Sequence, residues 1–329
     1  MKLFNYLPTI AELDNKNQLK LKVRNNPLRK LWNQLKLTHS AEKLKFEIIN
    51  KYKLQITTKT LENYIYKNTL SLNVAKVLID FSNSYETWNE LFEDMEAISF
   101  RNSEGGKTQW ITLPKEITPD LLYFTGALRD GNVNLTSGRV FIAQKSNKKW
   151  LHTKIKPIFQ RLFGITPTID EKAIIYSFPV AYFLIAVLEH PPGKQNKWKT
   201  PSWISGLSIN SKALYMKGYF DAEGTTNPKR MKISISQSWY RNEIAPSLVD
   251  IKRFLNEIGI KSSLEGPYRR NKNWSFMSNV VVYCKENPTN GIIFFEKIGC
   301  DHSDKITSLI KIYNACQSQL ADSHNPAQG

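Results

Sequence analysis

Long apolar runs are missing from this 329-residue chain. No stretch of about 18 apolar residues occurs, so a membrane-spanning helix is not expected. Cysteine is scarce as well: Cys284, Cys300 and Cys316 are odd in number and lack CxxC spacing, which argues against a disulfide framework or a zinc set and for reduced thiols. His39, His152, His190, His302 and His324 are scattered without ligand spacing. No phosphate-cradling Walker loop and no signal peptide are present, so the cytoplasm (nucleoid-associated) or an organelle matrix is expected rather than secretion. Acids are also in short supply. Asp plus Glu number 29 against 46 Lys plus Arg, a net charge of +17, and such an excess points to a polyanionic partner such as nucleic acid.

Two short stretches say nearly the same thing: Tyr123-Phe-Thr-Gly-Ala-Leu-Arg-Asp-Gly131 and Tyr215-Met-Lys-Gly-Tyr-Phe-Asp-Ala-Glu-Gly224. Each is apolar, contains small residues and ends in an acid followed by glycine. The glycine is expected to stop a helix in the left-handed conformation. That leaves Asp130 and Glu223 in last turns, where the helix dipole disfavours negative charge. Two such acids suggest carboxylates held together to bind a cation. The copies differ in one respect: Gly218 precedes Gly224 by six residues, whereas Gly126 precedes Gly131 by five. Either the first helix absorbs a one-residue deletion, or Gly131 takes the acid's place. Arg129 also replaces the acid seen at Asp221.

The similarity continues as an internal repeat. Gln144 and Gln237 each lie fourteen residues beyond their acid, at the end of Gly138-Arg-Val-Phe-Ile-Ala-Gln144 and Arg230-Met-Lys-Ile-Ser-Ile-Ser-Gln237. Strand alternation puts Val140 and Ile142, or Ile233 and Ile235, on the glutamine's face, and Arg139 and Lys232 on the opposite one. A helix ending in Gly-Ile follows in each copy, then further strands and a last helix. Lys194 and Lys305 each stand eleven residues past a phenylalanine, Phe183 and Phe294.

The second stretch fits the LAGLIDADG motif position by position, and residues 119–315 resemble the single-chain, two-motif LAGLIDADG homing endonucleases. The resemblance implies an α+β fold, a pseudo-two-fold αββαββα repeat, preceded here by a small all-α domain. The expected segments are a helical domain over 1–98, a linker over 99–118, repeats over 119–210 and 211–316, and a disordered tail over 317–329. It further implies a divalent ion, Mg²⁺, held by Asp130 and Glu223 for hydrolysis of both strands of DNA. Gln144 and Gln237 would position water there. Lys194 (or Lys199 in its place) and Lys305 would approach the scissile phosphates. On or beside the strands, Arg139, Lys145, Lys229, Lys232, Arg241, Arg269, Arg270 and Lys272 are expected to contact DNA, mostly at phosphates. The partner would be double-stranded DNA with a long pseudo-palindromic site, bound by a monomer. A non-cleaving regulator or an RNA maturase on the same fold is the alternative.

Within 1–98, amphipathic runs over 27–37 and 41–52 precede a helix capped by Thr57 or Thr58, and Ser71 opens a fourth. This order resembles a helix-turn-helix unit, with Lys59 and Asn63 facing DNA.

Overall fold

The computed structural model describes residues 1–14, 17–100, 109–144, 148–193, 195–269 and 275–324. They divide into two units, one of residues 2–116 with 177–186, the other of Met1, 117–176 and 187–329.

In the first unit, Pro8 sits in the opening turn of α1 (Leu7–Leu13). Thr57 accepts from the Thr60 amide to start α4 (Thr58–Tyr66), and Ser71 does the same for Val74 in α5 (Leu72–Ser82). Such caps satisfy amides that a helix start leaves unpaired. With α2 (Leu28–Lys36), α3 (Ala41–Lys51) and α6 (Thr87–Asp94), these helices bury Leu31, Trp32, Leu61, Ile65 and Leu78. The expectation of an all-α domain is corrected by three antiparallel strands, β1 (Leu19–Val23), β2 (Thr69–Ser71) and β3 (Met95–Phe100), in the order β2-β1-β3. Leu19-Lys-Leu-Lys-Val23 alternates apolar and polar residues, the two-residue period of a half-buried strand, and its burial alternates accordingly. Ile111 bridges Ile98 and, like Leu113, is buried, so this part of the expected linker is packed chain.

The second unit holds the repeat. Its first copy runs through α7 (Pro119–Ala127), a 3₁₀ turn (Leu128–Asp130), β4 (Gly131–Asn134) and β5 (Arg139–Ala143). A helical stretch follows, formed by α8 (Lys148–Trp150), a π turn (Leu151–Ile155) and α9 (Lys156–Phe163), then β6 (Thr168–Ile169) and β7 (Lys172–Tyr176); α10 (Phe178–Leu188) closes the copy in sequence, with residues 178–186 grouped in the first unit. The second copy is α11 (Ile209–Glu223), β8 (Gly224–Asn227), β9 (Lys232–Trp239), α12 (Pro246–Ile258), β10 (Ser263–Arg269), β11 (Phe276–Tyr283) and α13 (Pro288–Ile293). The sheets are ordered β4-β5-β7-β6 and β8-β9-β11-β10, the same topology twice. Register repeats too: Gly131 pairs Ile142 and Asn134 pairs Arg139, as Gly224 pairs Ile235 and Asn227 pairs Lys232.

A last helix, α14 (Ser303–His324), corrects the expected disorder from residue 317. Leu309, Ile312 and Cys316 bury one side of it, and Gln319 donates to the Lys285 carbonyl beyond them.

Candidate active site at the paired helix ends

α7 and α11 approach each other backbone to backbone. A Cβ on Gly126 would come within 2.1 Å of the Tyr215 carbonyl oxygen, and one on Gly218 within 2.0 Å of the Tyr123 carbonyl oxygen. Only glycine permits that approach, and the contacts are reciprocal, so Gly126 and Gly218 are equivalent positions. Gly131 and Gly224 are equivalent as well, each opening the first strand of its sheet. Between these fixed points the first copy has one residue fewer, and the structure shows how it is absorbed. Leu128–Asp130 forms a 3₁₀ turn where Phe220–Glu223 continues as α-helix. Three residues rising about 2.0 Å each and four rising about 1.5 Å each both advance about 6 Å. Asp130 therefore reaches the helix end beside Glu223.

The two glycines after the acids are not left-handed, contrary to the expectation. Gly224 has φ −81° and ψ 154°, and Gly131 has φ −112° and ψ 176°, both extended. Space requires them: a Cβ would meet the Phe220 ring at 2.1 Å, or Leu128 and the Phe141 carbonyl oxygen at 2.7 Å.

The Asp130 carboxyl is pushed up to about 7, first by burial and then by the negative charge of Glu223. Lys305, a hydrogen bond from Gln144 and Lys172 act in the opposite direction. Gln144 bridges the two motifs, its Nε2 donating to Asp130 Oδ2 at 3.0 Å and to the Ala222 carbonyl at 3.3 Å. A hard divalent cation suits this arrangement: it takes few carboxylates, keeps waters, and would relieve the repulsion that holds the Asp130 proton.

Gln237 does not mirror Gln144. Its Oε1 accepts from Arg129 Nε at 3.1 Å and from the Tyr219 hydroxyl at 2.7 Å, and its Nε2 donates to the Ser238 carbonyl. Arg129, which stands where the second copy has Asp221, thus holds the Gln237 amide oxygen inside the protein. Lys305 is also placed differently from an open phosphate-binding lysine. Its Nζ donates to the carbonyls of Phe220, Asp221 and Ala222 at 3.0, 2.6 and 3.3 Å, closing the end of α11, and burial holds its ammonium below the usual lysine range. A cation there meets the negative end of the helix dipole while remaining near both acids.

Arg139 and Lys232 lie on the outward faces of their strands, Arg139 over Phe141 and Lys232 paired with Glu265. Lys229, Arg241 and Arg269 are exposed, as are Lys59 and Asn63 on α4 of the other unit. Lys145, Lys194, Arg270 and Lys272 lie outside the described residues. Sequence reasoning passed over the polar residues that share Lys232's face: Ser234 bonds Thr225 at 2.8 Å and Ser236 bonds Asn279 at 2.7 Å. The alternation Lys-Ile-Ser-Ile-Ser-Gln-Ser-Trp239 was the signal for them. Lys172, over the Phe141 ring at 4.6 Å, was likewise missed.

Residues 210–299 match the family model described as a LAGLIDADG-like domain. The match covers the second copy of the repeat. It is similar to homing endonuclease I-ApeI of Aeropyrum pernix, 27% identical over 153 residues, 43% of this chain and 67% of that one. It is also similar to glutamine–fructose-6-phosphate aminotransferase (isomerizing) of Methanocaldococcus jannaschii, 24% identical over 213 residues, 63% of this chain; the match spans only 18% of that enzyme's length. Solved structures of I-DmoI resemble it at 16% identity: mesophilic variants (TM-score 0.38, 55% of this chain, 95% of that one) and the complex with DNA and Mn (TM-score 0.37, 55% and 97%). No described helix is long and apolar enough to cross a membrane.

Proposed function

We propose that this chain is a site-specific endonuclease that hydrolyses both strands of DNA with a divalent metal, Mg²⁺, held between Asp130 and Glu223. The observation that carries the reading is the 3₁₀ turn, which returns Asp130 to the end of its helix beside Glu223 despite the missing residue. The metal would supply an activated water and neutralise the leaving oxygen. Gln144 fixes the Asp130 carboxylate and ties it to the second motif through the Ala222 carbonyl. Lys305 keeps positive charge at the helix end, where a scissile phosphate would come. The outward strand faces, with Arg139, Lys172, Lys232, Lys229, Arg241 and Arg269, hold the duplex as a monomer on a pseudo-palindromic site. Lys59 and Asn63 add contacts beyond its centre.

One observation favours a second reading, in which the chain nicks or only binds: the Arg129–Gln237 bond leaves the two halves unequal. The variant Glu223→Gln separates the readings. It should lose metal-dependent cleavage while keeping DNA affinity within about threefold, because it removes a ligand and leaves the basic faces intact. Undiminished cutting by Glu223→Gln would sink the metal assignment.

A further inference from the structure

Beside the first motif, the protein buries the Arg129 guanidinium, which forms no ion pair with a carboxylate among the described residues. Arg129 is 1% exposed, and its guanidinium lies over the rings of Trp198 at 4.1 Å and Tyr219 at 5.2 Å. Nε is used by Gln237, but Nη1 and Nη2 have no hydrogen-bond partner among the described residues. Among the described residues the Trp198 indole N–H and the Tyr215 hydroxyl of the same neighbourhood also lack an acceptor, while Thr200 turns to Tyr215 and His190 to the nearby backbone. All four side chains are buried. The His190 and Trp198 rings are 4.6 Å apart, Thr200 lies against the Tyr215 hydroxyl, and the Arg129 charge reaches both His190 and Tyr215. Acceptors are few. Asn196 Oδ1, also unmet, can take one N–H and leaves the surplus of donors standing. Burial of so many donors around an unpaired cation is strongly unfavourable unless an acceptor joins them.

The other half of the pseudo-dyad shows what is missing. Arg129 and Asp221 are equivalent, each three residues after its packing glycine; Tyr215 and Tyr123 are equivalent, each three residues before it. The Asp221 carboxylate accepts from the Tyr123 hydroxyl, the Cys300 thiol and the Asp301 amide. In the Arg129 half that carboxylate is gone and the charge is inverted, so Tyr215 has lost its acceptor.

We propose that a small inorganic anion of halide size, chloride in ordinary buffers, binds in this chamber between Arg129 Nη1 and Nη2, the Tyr215 hydroxyl and the Trp198 indole N–H, where it replaces the missing carboxylate. Arg129, Trp198 and Tyr215 are all buried, which favours the smallest common anion. Water alone could satisfy the donors but would leave the guanidinium charge uncompensated. The site stands whether or not the chain cuts DNA.

Crystals of the full chain grown with bromide in place of chloride test this directly. An anomalous peak within hydrogen-bond distance of the Arg129 guanidinium is expected; water density there, or no density, overturns the proposal. In solution, thermal unfolding at constant ionic strength, with chloride exchanged for gluconate, should show stabilisation that saturates with chloride, as binding to the native state requires. Tyr215→Phe, which should still fold, is expected to weaken half-saturation by about tenfold, the loss of one hydrogen bond to a charged group. Arg129→Met should abolish the saturable response. A response that does not saturate, or that Tyr215→Phe leaves unchanged, overturns the proposal.

Discussion

Asp130 is a carboxyl whose proton is held by its surroundings, and that has a consequence for stability. The native state keeps this proton up to about 7, whereas an unfolded chain releases it near 4. Between those values the native state binds more protons, so stability falls as pH rises through the interval and levels off above about 7. In metal-free protein, Asp130→Asn should flatten that decline, a difference of at most a few kcal/mol measured by denaturant unfolding at the two ends of the interval. An identical decline in the variant would place the titrating group elsewhere. Lys305 offers a second test. As a cap on three carbonyls it stabilises the fold, so Lys305→Met should cost about 1–3 kcal/mol of unfolding free energy even without DNA. A lysine waiting in solvent for phosphate would cost nothing. The fourteen-residue spacing made both glutamines legible in the sequence, yet their different partners were not. Gln237's capture depends on Arg129, 108 positions away, and on the Tyr219 hydroxyl, which donates to the same amide oxygen.

At the scale of elements, the motif helices are fixed by contacts only glycine allows. Gly218→Ala drives its Cβ into the Tyr123 carbonyl and should destabilise by about 1–3 kcal/mol or more. Gly224→Ala should be comparably costly although its backbone is ordinary, because the Phe220 ring fills the space. Thermal unfolding of both variants checks this; a neutral Gly218→Ala would mean that the helices stand farther apart. The repeat and its two strand faces are readable because alternation and spacing recur in both copies, whereas the order of strands within each sheet is not. The sequence leaves the fate of the missing residue open, since a deletion near a helix end can be absorbed or can displace everything after it. The β1 strand carried its signal in five alternating residues, which the surrounding helical pattern masked.

For the whole molecule, the equivalence of Arg139 and Lys232 in strand register predicts that they serve opposite half-sites. Alanine at either should weaken footprint protection of one half only, by about 1–3 kcal/mol if a base is read and nearly uniformly across sequences if only phosphate is touched. Lys59→Ala should lower the salt slope of binding by about 0.9 if Lys59 meets a phosphate. Point variants are the right tool here, because deleting residues 2–116 would split the first unit and expose Val180, Phe183 and Leu184 of the same unit, where Phe183 packs on Tyr6 at 5.2 Å. The central claim is that two unequal motifs place two carboxylates at one centre to cut duplex DNA. It is tested most directly by incubating the full chain with a randomised plasmid library and Mg²⁺ and sequencing the double-strand ends. Mg²⁺-dependent ends at one long pseudo-palindromic sequence are expected, absent with Glu223→Gln and with Asp130→Asn. Ends that persist in either variant, or none above the background of those variants, would contradict it.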